Sequence, residues 1–301
     1  MTRIYEALQR ATLEQKATPV TEYRRLAESM VAPEFKESSL ATADAVLGGI
    51  AQQDWNPSIA SLLALDDRGA GVEQFRRLRS RISLLRDELP MKTILVCSGM
   101  PMEGKTFVVA NLAISLARNS RNRVLLIDGD LRRARLHVLL GAPNTPGLSD
   151  YLAGTAEPAQ IMQRSGSPKT VENAGIAIAS NLTFIPAGKC GDNSSELVAN
   201  HRIEELIKRL SPHFDWILID TPPVLIVTDA VDLASAADAV LLVARGATTP
   251  FDVAQRAQAA FSNFRILGFV LNAVKNAPRD RHYYGYSEVK EVVGGVEARL
   301  D

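Results

Sequence analysis

A mostly parallel α/β sheet with helices on both faces is the fold this 301-residue sequence predicts, and three observations predict it. Apolar runs of strand length alternate with helical patterns from about residue 92 to residue 272. Within each run the apolarity is continuous, as in strands covered on both faces. One Gly-containing turn, Gly99-Met100-Pro101-Met102-Glu103-Gly104-Lys105-Thr106, lies between such a run and a helix. Two further runs, Leu125-Leu126-Ile127-Asp128 and Ile217-Leu218-Ile219-Asp220, each end in an aspartate, which a parallel sheet delivers to its carboxyl edge.

Residues 1–69 carry interspersed charge, Pro19, Pro33 and Pro57, and no strand-like apolar run. They are expected to form an N-terminal extension, partly helical or disordered. Within it Ile4, Leu8 and Ala11 share one helical face, predicting a short amphipathic helix over 2–15 that docks on a partner or on its own domain. A stronger helical stripe follows from Val72 to Leu85, with Phe75, Leu78, Ile82 and Leu85 on one side and Arg76, Arg77, Arg79 and Arg81 around it. The alternation then runs strand 92–98, helix 105–118, strand 123–128, short helices between about 133 and 163, strand 182–186 and helix 194–210. It continues with strand 215–220, helix 229–236, strand 238–243, helix 250–262 and strand 266–272. Asn193 or Ser194, and Thr228, suit helix N-caps, while Gly141 and Gly154 suit helix stops. Residues 164–176 are polar and read as a surface loop. The expected division is an extension over 1–69, a folded domain over 70–276 and a flexible tail over 277–301.

The Gly-containing turn fits G-x-x-x-x-G-K-[ST], follows the apolar run Thr93 to Cys97 and opens into a helix over Phe107 to Ala117, the strand–turn–helix context of a P-loop. There, backbone N–H groups curl around phosphate oxygens with the positive end of the helix dipole behind them. Gly99, Met102, Glu103, Gly104, Lys105, Thr106 and Phe107 are accordingly the candidate phosphate-binding stretch. Lys105 is expected to reach the β- and γ-phosphates, and the Thr106 hydroxyl to ligate Mg²⁺. The carboxylates of the two strand-ending aspartates, Asp128 and Asp220, are expected to emerge beside this loop, and their hard oxygens suit Mg²⁺ directly or through water. The conjunction predicts a P-loop domain that binds ATP or GTP with Mg²⁺.

Composition narrows the partners. Lysine plus arginine and aspartate plus glutamate both count 34, so no global basic field marks a nucleic-acid binder. No apolar run approaches the roughly 18 residues of a membrane span, and the first residues lack a signal-peptide core, so a cytoplasmic protein is expected. Cys97 and Cys190 are far apart and lack metal-ligand spacing; Cys97 reads as a core strand residue.

Beyond Val274 the pattern dissolves, and three of the six tyrosines, Tyr283, Tyr284 and Tyr286, fall within four residues. With little apolar surface to bury, such a tail offers its hydroxyls as phosphoacceptors. Taken with the P-loop, these features resemble the bacterial tyrosine kinases of capsule and exopolysaccharide synthesis in their soluble, single-chain form. The resemblance runs from about Glu73 to Tyr286. It rests on Glu73-Gln74-Phe75-Arg76-Arg77-Leu78-Arg79, which fits that family's E-x-x-R-x-x-R oligomerisation helix, on Asp128-Gly129-Asp130-Leu131-Arg132-Arg133, on Asp220-Thr221-Pro222-Pro223, on Ser195-Glu196-Leu197 and on the tyrosines.

The resemblance implies a ring-forming, ATP-dependent autokinase whose tail tyrosines enter a neighbour's nucleotide site. It implies phosphate and Mg²⁺ binding by Lys105 and Thr106, Mg²⁺ held by Asp130 and Asp220, and Asp128 as base for the tyrosine hydroxyl. It further implies subunit contacts through Glu73, Arg76 and Arg79. Asn272, ending the last strand, is by the same analogy an adenine contact, or else a structural strand end. The implied activator is a membrane-spanning chain-length determinant, the polysaccharide co-polymerase, which would recruit the protein to the inner face of the membrane. Met102 replaces a usual glycine, and a positive φ there would cost ~1–2 kcal/mol. Ala134 replaces a usual proline, and the tyrosines are fewer than in many relatives. Two other functions share the fold: a switch ATPase like ParA and MinD, whose signature lysine would fall at Met100, and a catalytically weak ATP-binding regulator of polysaccharide export.

Overall fold

The computed structural model describes residues 49–58, 60–66, 70–166, 178, 180–189 and 194–274. The expected helix over 2–15, the Asn193 cap, Cys190, most of the 164–176 connection and Tyr283, Tyr284 and Tyr286 lie outside them.

In chain order the elements are β1 (Ala51–Gln53), a 3₁₀ turn (Leu63–Leu65), α1 (Ala70–Glu88), β2 (Thr93–Ser98), α2 (Lys105–Ala117) and β3 (Val124–Asp128). Three short helices follow, α3 (Leu136–Leu140), α4 (Leu148–Leu152) and α5 (Pro158–Ile161), then β4 (Gln163–Ser165) and β5 (Leu182–Ile185). The remainder is α6 (Ser194–Ala199), α7 (Arg202–Leu210), β6 (Trp216–Asp220), α8 (Asp229–Ala234), β7 (Ala239–Arg245), α9 (Phe251–Ala260) and β8 (Ile266–Asn272). The strands form one sheet in the order β1-β4-β5-β3-β6-β2-β7-β8, parallel throughout except where β4 runs against β5.

Alternate residues of the central strands feed two cores. Leu95, Leu125, Ile127, Ile217 and Ile219 face one side, where Leu206 and Leu210 of α7 and Leu233 of α8 cover them. Ile94, Val96, Leu126 and Leu218 face the other, against Leu112, Ala113 and Leu116 of α2. This two-sided burial is why the strands read as unbroken apolar runs. Cys97 is fully buried, and burial pushes its thiol up to about 11, so it is an inert core residue.

Three features depart from the sequence reading. The expected absence of strands before residue 92 fails at β1, which pairs in parallel with β4. Ala51-Gln52-Gln53 and Gln163-Arg164-Ser165 carry no apolar signal, because they extend the sheet at its edge. Behind them, Trp55 donates to Gln163 Oε1 at 3.1 Å and meets Phe184 edge-on at 6.0 Å, so the 50–66 stretch is tied into the core. Last, the single helix over 194–210 is two: Asn200 Oδ1 accepts the Arg202 N–H at 3.1 Å, Asn200 Nδ2 donates to the Leu152 carbonyl, and His201 turns left-handed at φ 59°. Gly141 ends α3 at φ 61°, as read.

Candidate active site

The adjacent carboxyl ends of β2, β6 and β3 deliver Ser98, Asp220 and Asp128 to one edge of the sheet. Above them lies a cavity of about 860 Å³. The loop from Gly99 to Gly104 forms one wall. Glu103 is only 4 % exposed and staples this loop from within: Oε2 accepts the Met100 N–H at 2.8 Å, and Oε1 accepts from the Thr249 hydroxyl. Asn272 Nδ2 donates to the Glu103 carbonyl at 3.0 Å. Arg245 Nη1 donates to the Met102 carbonyl at 3.2 Å. The loop is therefore held from behind by side chains from β7, β8 and the turn between β7 and α9.

Gly104 adopts φ 95°, and a Cβ added there would lie 1.9 Å from Asn272 Nδ2, so both conformation and space demand glycine. Met102 also turns left-handed, at φ 66°, and is 86 % exposed. The condition attached to this residue is met, and the loop carries ~1–2 kcal/mol of strain that glycine would relieve. From Gly104 the chain enters α2, whose first turn has no side-chain cap. Its free N–H groups are the fixed partial positive charge of the site.

Lys105 Nζ lies 3.1 Å from Asp130 Oδ2 and donates to Thr106 Oγ1 at 3.3 Å. Burial pulls the lysine's pKa down, and the charges of Asp220 and Asp130 more than reverse this, leaving it raised. Gly129 brings the ends of β3 and β6 together: its N–H donates to the Asp220 carbonyl at 2.9 Å, where a Cβ would stand 2.6 Å from that oxygen. Asp128 is fully buried, with Oδ1 accepting from the Asp130 N–H and Oδ2 from the N–H groups of Arg135 and Leu136. Burial and the nearby Asp220 push its pKa well up. Asp220 is equally buried, and neither of its oxygens completes a well-formed hydrogen bond among the described residues, although the Thr106 hydroxyl and the Thr221 N–H are close enough to draw its pKa down. Burial raises its pKa to about 6, against the pull of Lys105.

A buried carboxylate without well-formed hydrogen bonds is costly, and its presence beside Thr106, Lys105 and Asp130 fits a divalent cation. Thr106, Asp130 and Asp220 are the residues that could hold Mg²⁺, with phosphate and water completing its shell. Met102, Gly104, Lys105, Thr106, Phe107, Asp130 and Asn272 line the cavity. Gly99, Glu103, Asp128 and Asp220 stand behind that lining. Glu73, Arg76 and Arg79 lie apart from it on α1. Glu73 pairs with Arg76 at 3.7 Å, and Arg79 Nη1 donates to the Ser115 carbonyl of α2 at 2.7 Å.

Arg132, quoted from the sequence within the Asp128–Arg133 motif but given no role there, lines the cavity and is tied to Asp229 and Ser195. Its place two residues after Asp130 was the available signal. Arg245 and the exposed Val138 and Ile226 complete the rim, and nothing in their spacing announces them.

Comparison with known proteins adds the lineage. The model of the AAA domain family matches residues 91–249. Tyrosine-protein kinase wzc of Salmonella typhimurium is 36 % identical over 219 residues, covering 72 % of this chain and 29 % of its own length. Thus the chain spans less than a third of that relative. Tyrosine-protein kinase YwqD of Bacillus subtilis is 31 % identical over 223 residues, 73 % of this chain and 89 % of the relative. Among solved structures, the kinase domain of Escherichia coli tyrosine kinase ETK superposes with a TM-score of 0.63 at 33 % identity, covering 75 % of this chain and 84 % of that one.

Proposed function

The chain belongs to the family of bacterial tyrosine-protein kinases within the AAA domain proteins, and from that premise we propose that it is an ATP-dependent protein-tyrosine autokinase regulating capsule or exopolysaccharide polymerisation and export. The observation that carries this reading is the orphaned Asp220 carboxylate beside the Lys105–Asp130 pair at the uncapped start of α2. That arrangement supports binding of a triphosphate by the loop amides and Lys105, with Mg²⁺ on Thr106, Asp130 and Asp220. When bound, Mg²⁺ supplies charge neutralisation on the phosphates.

The acceptors are Tyr283, Tyr284 and Tyr286 of a neighbouring subunit in a ring, with Glu73, Arg76 and Arg79 at the subunit contact. A phenol with pKa of about 10 needs a base at neutral pH. We assign that role to Asp128, whose raised pKa suits proton acceptance. Its oxygens are held by the amides of Asp130, Arg135 and Leu136, so the loop after β3 must yield one of them to the phenol. The partner proposed is a membrane-spanning chain-length determinant that activates the kinase at the inner face of the membrane. No helix among the described residues is long and apolar enough to cross a membrane.

Peptide mass spectrometry after incubation with Mg·ATP tests the reading, with Lys105→Met and the Tyr283/Tyr284/Tyr286→Phe triple variant alongside. Phosphate on the 283–286 peptide, absent from both variants, is the expected result. A wild-type chain that binds ATP but stays unmodified, even with the activator's cytoplasmic segment present, would overturn it.

A further inference from the structure

Three arginines near the start of α3, Arg132, Arg133 and Arg135, line the cavity, and they are held very differently. Arg132 Nε lies 3.0 Å from Asp229 Oδ2, its Nη2 donates to Ser195 Oγ, and that hydroxyl donates to Asp229 Oδ1 at 2.8 Å. The three side chains close a triangle. Asp229 is almost wholly buried, with its side chain 3 % exposed, whereas Arg132, which lines the cavity, remains 42 % exposed. No acid is paired with Arg133 or Arg135 among the described residues.

A buried carboxylate is costly unless paired, and breaking such a pair is costlier still. Asp229 therefore fixes one edge of the Arg132 guanidinium strongly, and Ser195 locks its rotation. What remains is a planar cation, still partly exposed, that lines the cavity two residues along the chain from the Asp130 that touches Lys105. A preorganised donor of this kind stabilises charge developing in a transition state, because its orientation is set before the reaction begins. A mere surface staple would not need a buried acid, nor would it line the cleft.

We propose that Arg132 is a catalytic residue that stabilises the transferring phosphoryl group, and that Asp229 and Ser195 are its positioning residues. This rests on the phosphoryl-transfer reading of the site. In the step concerned, the bond between the γ-phosphorus and the β–γ bridging oxygen breaks, and a bond from that phosphorus to the tyrosine oxygen forms. ADP leaves with the electron pair, and the phenolic proton passes to Asp128. Arg132 contributes charge and orientation to the equatorial oxygens and takes no proton.

The test combines ATP binding by calorimetry with single-turnover transfer to the tail in the full chain. Arg132→Ala and Arg132→Lys are expected to hold the ATP Kd within about threefold while slowing transfer by about 10²–10³-fold. Asp229→Asn and Ser195→Ala slow it by about tenfold. Neither slows the Arg132→Ala chain further, and added guanidinium restores part of the Arg132→Ala rate only while Asp229 is intact. Transfer by Arg132→Ala within threefold of wild type, or losses that multiply in the double variants, would overturn the assignment. Should the wild type transfer nothing to tyrosine, the same variants are read by single-turnover ATP hydrolysis. Hydrolysis lost in Arg132→Ala then keeps the assignment while the kinase reading falls. Hydrolysis retained in Arg132→Ala, or absent from the wild type, ends the assignment.

Discussion

At the residue scale, Asp220 shows a functional group placed against the interest of the fold. Its oxygens are buried without well-formed hydrogen bonds, and its pKa of about 6 stands above the ordinary 3.8. Folding thus favours the protonated acid: that contribution is complete below about pH 4 and is lost as pH rises through about 6. At pH 7.5, without divalent cation, ionised Asp220 costs the folded state about 1–3 kcal/mol. Asp220→Asn should therefore stabilise the metal-free protein at pH 7.5 by that order, with the gain shrinking towards pH 4. The same variant should lose Mg·ATP binding. Urea denaturation in EDTA across this range checks the claim, and a destabilised or pH-independent variant would contradict it. Met102 adds a second local cost, at φ 66° in the loop proposed to meet the phosphates. Strain and buried charge concentrated at one site are expected where binding, rather than folding, selected the residues.

At the scale of elements, α2 carries both the site and the attachment of the segment before α1. Asn111, buried within α2, accepts the Ala64 N–H at 2.8 Å and donates to the carbonyls of Ser61 and Phe107. Arg118, at the end of α2, donates to the carbonyls of Ala64, Leu65 and Asp66. Removing the Asn111 amide leaves buried backbone groups unpaired, so Asn111→Ala should cost about 2–4 kcal/mol and expose the 50–66 stretch first to limited proteolysis. Uniform protection of that stretch in the variant would count against the clamp. None of this was legible in the sequence, because Asn111 sits inside an apolar helical pattern and hydrogen-bonds to backbone, which leaves no periodic trace. The central strands were legible because both faces are buried. By contrast, β1 and β4 escaped because each is three residues long and mostly polar, and the α6–α7 break escaped because apolar positions continue across it, from Leu197 and Val198 to Ile203, Leu206 and Leu210. The loop, Lys105 and the strand-end aspartates could be read because their chemistry constrains residue type and spacing together. Arg132 and Ser195 could be read only as parts of their motifs, because their meeting with Asp229 joins distant helices and leaves no trace in spacing.

At the scale of the whole molecule, the proposed kinase joins a nucleotide site at the carboxyl edge of the sheet to tyrosines that follow β8 in the sequence. Asn272, at the end of β8, holds the phosphate loop through the Glu103 carbonyl, so the strand leading into the tail also braces the loop. If the tail of one subunit is served by the site of another, two inactive proteins should complement each other. Lys105→Met keeps its tyrosines and lacks a working site, while the Tyr283/Tyr284/Tyr286→Phe triple variant keeps the site and lacks acceptors. Mixing them at equal concentration with Mg·ATP, and reading the 283–286 peptide of each by mass spectrometry, tests transfer between subunits directly. Phosphotyrosine is expected on the Lys105→Met chain in the mixture, and none on either protein alone. A mixture that leaves that peptide unmodified, under conditions where wild type is phosphorylated, would contradict transfer between subunits.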